Sequence, residues 1–351
     1  MSDQKSGRLS QKWKIIIALA AVVLLALGIT LFNYYMKFFG PSVTNNAEYL
    51  YVRTGSTFAD VYKSIESQEM VSKPEVFKWA AEKMGYPAVV KPGKYKLKAG
   101  MSNRNFINML KAGNQEPVNM RFKSYRIKED FAKYVSTQLE ADSTSLLRLL
   151  DSTEYISKYG FNKDNVFAVF IPNSYEMYWN TSADKFFTKM YEEYQKFWTS
   201  ERKSKAKAIG LTELQVSSLA AIVDAEALYD DEMPTIAGLY MNRYKNGIKL
   251  QADPTVIYAN KDFTIRRVLN KHLLKDSPYN TYVYRGLPPG PIMMPSINAI
   301  DAVLNHKKHK FIYMCAKEDF SGYHNFAVTQ AEHLANARRF QQALNERNIK
   351  K

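Results

Sequence analysis

The run from Ile15 to Met36 carries no charged residue, and its first part, through Phe32, is almost wholly apolar. A bilayer's hydrocarbon core takes about 20 residues of helix to cross, so this segment is long enough to span one. A cleaved signal peptide has a shorter apolar region followed by a small-x-small site, and no such site follows here. A retained single-pass anchor is therefore expected over residues 15–36. Lys5, Arg8, Lys12 and Lys14 precede it against Asp3 alone. That bias keeps a tail of residues 1–14 in the cytoplasm and puts everything from about Lys37 onward outside the membrane. Tyr34, Tyr35, Phe38 and Phe39 suit an aromatic belt on the outer side.

The chain's 351 residues, 46% of them hydrophobic and 13% aromatic, can bury a sizeable core in two or three domains. A net charge of +15 invites a nucleic-acid partner. The lysines are spread along the chain, however, and most of it is expected outside the cytoplasm. No nucleic acid is expected; attraction to anionic lipid or an acidic envelope polymer follows instead. Cys315 is the single cysteine, which excludes an intrachain disulfide and a cysteine-based metal cluster. The five histidines are scattered and lack an HExxH pattern, so no metal site and no cofactor are expected.

Punctuation and periodicity divide the rest. Residues 37–48, with Gly40-Pro41 and Asn45-Asn46, read as a linker. A small unit over 49–115 reads as a strand at 49–53, helices at 57–66 and 74–84, a strand near 92–97 and a closing helix at 103–112. A connecting region, 116–205, has a strand at 118–122 and helices at 129–140, 143–150 and 183–199. Its loop Ile171-Pro172-Asn173-Ser174-Tyr175-Glu176, near Tyr178 and Trp179, suits either stacking on sugar rings or a packed hinge. In the last part, 206–351, Thr212 caps a helix to about Leu228, Pro234 opens another ending at Gly247, and Asp253-Pro254 reads as an N-cap and first-turn pair. A Pro/Gly-rich stretch through Gly286–Pro291 precedes a helix capped by Ser296. Strands at 311–315 and 324–328 and a capping box at Thr329/Glu332 follow. The fold class is α+β, with one N-terminal membrane helix, a small α/β unit and a larger mixed α+β domain.

Ala220-Ala221-Ile222-Val223-Asp224-Ala225-Glu226 concentrates the chemical interest. Leu219, Ile222 and Val223 share a helical stripe that Glu226 continues, while Asp224 projects elsewhere. A carboxylate on an apolar face is desolvated, so its pKa rises and it holds a proton near neutral pH, as a general acid must.

Taken in order, Ile222–Glu226, Asn242-Arg243, Leu250-Gln251-Ala252-Asp253-Pro254-Thr255-Val256-Ile257-Tyr258, Tyr279-Asn280-Thr281-Tyr282, Gly286-Leu287-Pro288-Pro289-Gly290-Pro291-Ile292 and His324-Asn325-Phe326 resemble the YceG-like family. Order and spacing match from about 211 to 340. Gly55-Ser56-Thr57-Phe58 with Pro92-Gly93-Lys94-Tyr95 is similar to that family's LysM-like subdomain, and Pro172–Glu176 is similar to its Pro-Asp-Thr-Tyr-Glu stretch. Two departures stand out: Asp224 replaces the first of two glutamates in the Ile-Val-Glu-Lys-Glu position, and Lys123-Ser124-Tyr125-Arg126 replaces a Pro-Glu-Gly turn.

The resemblance implies an endolytic lytic transglycosylase of the bacterial inner membrane, acting on peptidoglycan glycan strands beside the synthases that make them. Such an enzyme cleaves the MurNAc–GlcNAc bond without water, because the muramyl primary hydroxyl attacks and leaves a 1,6-anhydro end. Glu226 is the expected catalytic residue, acid first and base second. Asp253 reads as a helix cap or as a group orienting a sugar hydroxyl or Glu226. Gln251 and Asn242 donate to acetamido groups or satisfy loop backbone. Tyr282 holds a sugar ring or packs in the core, and Arg243 binds a substrate carboxylate or forms an ion pair. Thr255 stands with the substrate-binding group. His324 and Phe326 line the cleft or serve structure, and His333 is read as structural. Two alternatives remain: a muramidase-type hydrolase pairing Glu226 with Asp224, Asp230 or Asp253, and a non-catalytic peptidoglycan-binding scaffold.

Overall fold

A computed structural model describes residues 10–347. Most of the expected cytoplasmic tail, with Asp3, Lys5 and Arg8, lies outside the described residues. The chain divides into two compact units, Met1–Val118 with Met177–Asn180, and Asn119–Glu176 with Thr181–Lys351.

In the first unit, helix α1 (Gln11–Phe39) starts before the apolar run and continues past it. It is long and apolar enough to cross a membrane, and none of its residues is buried. The stretch 37–48 is not the free linker its breakers suggested. Lys37–Phe39 stay helical, Pro41 and Val43 make β-bridges to Ser102 and Val71, and Val43 is buried. Burying Val43 overrides the local Pro/Gly signal. Strand β1 (Tyr49–Val52) is followed by α2 (Phe58–Ser67) and α3 (Pro74–Lys83), then by β2 (Gly93–Lys96), antiparallel to β1 with Leu50 opposite Tyr95. Helix α4 (Asn103–Ala112) closes the unit. Leu50, Ile65, Phe77, Tyr95 and Phe106 form its fully buried centre.

In the second unit, β3 (Val118–Arg121) leads into α5 (Lys128–Gln138), α6 (Ser143–Asp151) and the short α7 (Thr153–Ser157). The segment expected as a loop contains β4 (Ser174–Met177), which pairs with β3. Tyr175 there is buried, packs 5.0 Å from Phe122 and bonds Ile171 O at 2.7 Å, so it does not face solvent. Helices α8 (Ala183–Phe197) and α9 (Ser200–Ala208) follow. Periodicity was silent on α9 because nearly every residue is polar; a Thr199 cap and the Glu201–Lys205 pair mark it instead.

The core of this unit is built on α10 (Glu213–Glu226), α11 (Met233–Lys245), α12 (Asp253–Asn260), the single-turn α13 (Asn270–Leu273) and α14 (Ile297–Leu304). A hairpin of β5 (Tyr313–Ala316) and β6 (His324–Ala327) and the final α15 (Gln330–Glu346) complete it. The expected single apolar face of α10 is a misreading: Val216 through Val223 are all buried, so the helix is enclosed on every side. Small residues Ser217, Ser218, Ala220 and Ala221 let neighbours approach that closely. Only its first and last turns are partly exposed, and it ends at Glu226 rather than Leu228.

Candidate active site

Glu226 is the last helical residue of α10, where the backbone carbonyls lack helical partners and the helix dipole is negative. Its side chain lines a cleft of about 560 Å³ with Tyr240, Arg243, Gln251, Asp253, Tyr282, Tyr313 and His324. The Tyr240 hydroxyl donates to Glu226 Oε1 at 3.0 Å. Burial pushes the Glu226 carboxyl up to about 7; the Tyr240 bond opposes that rise and the Asp253 charge adds to it. The carboxyl is thus divided between acid and base forms near neutrality, the condition for giving a proton and taking one back.

Asp253 lines the same cleft. It does not cap α12: Ala252 holds the N-cap position with no side-chain cap, and Asp253 is the first helical residue. Its Oδ1 accepts the Tyr282 hydroxyl at 2.6 Å. Burial, then Asp253, raises the Tyr282 phenol and keeps it a donor. Gln251 sits at φ 53°, a left-handed conformation uncommon for a side-chain-bearing residue. Arg243 Nη2 bonds Gln251 Oε1 there, and the Gln251 N–H donates to Thr281 O at 3.2 Å. Arg243 also donates to Lys249 O at 2.9 Å and Ile312 O at 2.7 Å. This guanidinium joins the 249–251 loop to the residue that precedes β5 rather than forming an ion pair.

The other residues singled out in the sequence serve the walls. Asn242 donates to His309 O at 2.8 Å and Phe311 O at 3.0 Å, and Thr255, fully buried, donates to Ala252 O at 2.7 Å. Phe326 stacks on Phe311. None of these three lines the cleft. His333 lines it and stacks on Tyr313, with burial and the Arg243 charge lowering its pKa. Asp224 accepts the Ser296 N–H at 2.7 Å and the Ser296 hydroxyl at 3.0 Å, holding the start of α14. Asp230 accepts Asn298 Nδ2 at 2.5 Å. Neither carboxylate lines the cleft.

Tyr240 and Glu232 are among the residues at the site that the sequence reading did not single out. Tyr240 lies one turn before Arg243 on α11, a spacing that puts both on one face, and this was the available signal. Glu232 closes the Asp230-Asp231-Glu232 run, which reads as a solvated charge cluster. It is buried, accepting the His324 N–H on Oε1 and facing His324 Nδ1 with Oε2, each at 2.8 Å.

A partly buried carboxyl, pushed to about 7 at a helix end in an open polar cleft, suits acid–base work. The YceG-like family model matches residues 50–339, and the chain belongs to that family. Its relatives include the endolytic murein transglycosylase of Bacillus subtilis (strain 168), 35% identical over 148 residues that make up 41% of this chain and 39% of that protein. The endolytic murein transglycosylase of Streptococcus pneumoniae serotype 2 is 24% identical over 87% of this chain and 61% of its own length. The chain thus spans about two fifths to three fifths of these relatives. The crystal structure of a yceG-like protein from Listeria monocytogenes superposes with a TM-score of 0.55 at 21% identity, covering 82% of this chain and 98% of that one, and shares the fold.

Proposed function

We propose that this protein is a membrane-anchored endolytic lytic transglycosylase that cuts the MurNAc–GlcNAc bond inside nascent peptidoglycan strands. The observation that carries the reading is the Glu226 carboxyl, pushed to about 7 inside the cleft. Glu226 gives its proton to the glycosidic oxygen as the bond to the muramyl C1 breaks and positive charge grows on the ring. The muramyl O6 then bonds to C1, and its proton passes to the Glu226 carboxylate, which restores the acid. Atoms balance without water: one strand ends in 1,6-anhydro-MurNAc and the other in a free GlcNAc 4-hydroxyl. One carboxyl serves both steps because the nucleophile is already tethered to the substrate. Asp253, the second carboxylate of the cleft, is engaged by Tyr282 and adds negative charge near the developing cation.

The membrane helix, with its N-terminus in the cytoplasm, holds the rest on the extracytoplasmic side near the peptidoglycan synthases, where tethering raises the effective concentration of new strands. The 49–115 unit serves as the LysM-like subdomain. Digestion of purified glycan strands by the full-length protein, followed by mass spectrometry, tests the chemistry. Anhydro ends are expected from the natural protein, with a loss of at least about 10²-fold in Glu226→Gln. Reducing ends would indicate hydrolysis, and unchanged cleavage by Glu226→Gln would remove Glu226 from the mechanism.

A further inference from the structure

Glu232 is a buried carboxylate that the reaction above does not use. Its side chain is 5% exposed, and both oxygens are spent on one residue: Oε1 on the His324 N–H and Oε2 on the ring Nδ1. A carboxylate only accepts, so the hydrogen in the second bond belongs to the imidazole. That fixes the ring with Nδ1 protonated and leaves Nε2 as its remaining polar atom. His324 lines the cleft that holds Glu226. Around it, Tyr240 is engaged with Glu226, Tyr282 with Asp253, and Arg243 with two carbonyls and Gln251, whereas the buried Nδ1 of His333 has no protein partner.

We propose that Glu232 is a positioning residue that sets the His324 tautomer, so that Nε2 offers its lone pair to a hydroxyl of the bound glycan. The arrangement follows the acid–imidazole logic of hydrolytic triads, in which the buried carboxylate orients the ring and selects the tautomer without exchanging protons. The sugar hydroxyl held by Nε2 fixes the orientation of the glycan ring against the Glu226 carboxyl. This inference rests on the glycan-cleaving reading of the same cleft.

Glu232→Gln separates the role from simple space filling. The amide keeps the side chain's shape, accepts the His324 N–H on its oxygen and donates to Nδ1 with its nitrogen. The proton is then forced onto Nε2, and the acceptor becomes a donor. In the full-length protein in detergent, kcat/KM on glycan strands is expected to fall on the order of 10- to 100-fold with the thermal midpoint nearly unchanged. Nitrogen-15 histidine spectra should report Nδ1–H at His324 in the natural protein and Nε2–H in the variant. His324→Phe should lose activity to a similar extent. Natural kcat/KM in Glu232→Gln, or an Nε2–H tautomer in the natural protein, overturns the proposal. The Glu226→Gln control keeps the two readings apart: an inactive Glu226→Gln beside a fully active Glu232→Gln rejects the dyad alone.

Discussion

The hydroxyl of Tyr240 donates to Oε1 of Glu226 at 3.0 Å, and this bond stabilises the ionised form of a carboxyl that burial drives the other way. Removing the bond in Tyr240→Phe should therefore lift the Glu226 pKa above about 7, by roughly one unit. The alkaline limb of kcat/KM should move to higher pH by that amount. A limb that stays in place or moves down would show that the phenol does not act on the carboxylate.

Holding Glu226 at about 7 rather than its ordinary 4.5 also costs stability. Between those values the folded state keeps a proton that the unfolded chain has lost, so stability falls as pH rises through the window and levels off above it. The full effect is up to about 3 kcal/mol. Glu226→Gln carries no such dependence. Its stability advantage over the natural protein should grow by that order between pH 4.5 and pH 8, as read by urea unfolding in detergent.

Asp224 is expected to matter for stability rather than for cleavage. Replacing it with Ala strips the Ser296 N–H and hydroxyl of their acceptor at the start of α14, with an expected cost of about 1–3 kcal/mol. Cleavage well below the melting temperature should stay within severalfold of natural. Lost cleavage at full stability would move Asp224 from support to chemistry.

Gly290 marks where the Pro/Gly-rich stretch meets the segment before the short 3₁₀ helix Val166–Val169. A Cβ there would stand 1.9 Å from Asp164 O, against backbone rather than a flexible side chain. Gly290→Ala should destabilise the second unit by about 1–3 kcal/mol, measurable as a lowered thermal midpoint.

Local rules read from the sequence located most elements, and least well where tertiary burial outweighed them. Helix α4 is bounded as expected because Ser102 caps its start and Gly113, at φ 75°, stops it. Helix α9 has no apolar stripe to announce it. Helix α10 looked one-sided because Ser and Ala mask how completely it is enclosed. Glu226 was legible because a carboxylate interrupts a continuous apolar run. Tyr240 and Glu232 were not, since their roles arise from contacts with residues 14 and 92 positions away. Asp253 was located but its partner was not: a helix-start pattern says nothing of a tyrosine 29 positions later.

Helix α1 does not release the chain where its apolar residues stop. Tyr34 and Phe38 lie against Trp79, and the Lys37 carbonyl accepts Asn103 Nδ2 at 2.9 Å. On the proposal that α1 spans the membrane, a helix joined to the β1–α4 body without a hinge passes its tilt on to that body. Lipids of longer acyl chain should then reorient the attached α/β body as a lever, instead of drawing out a slack tether.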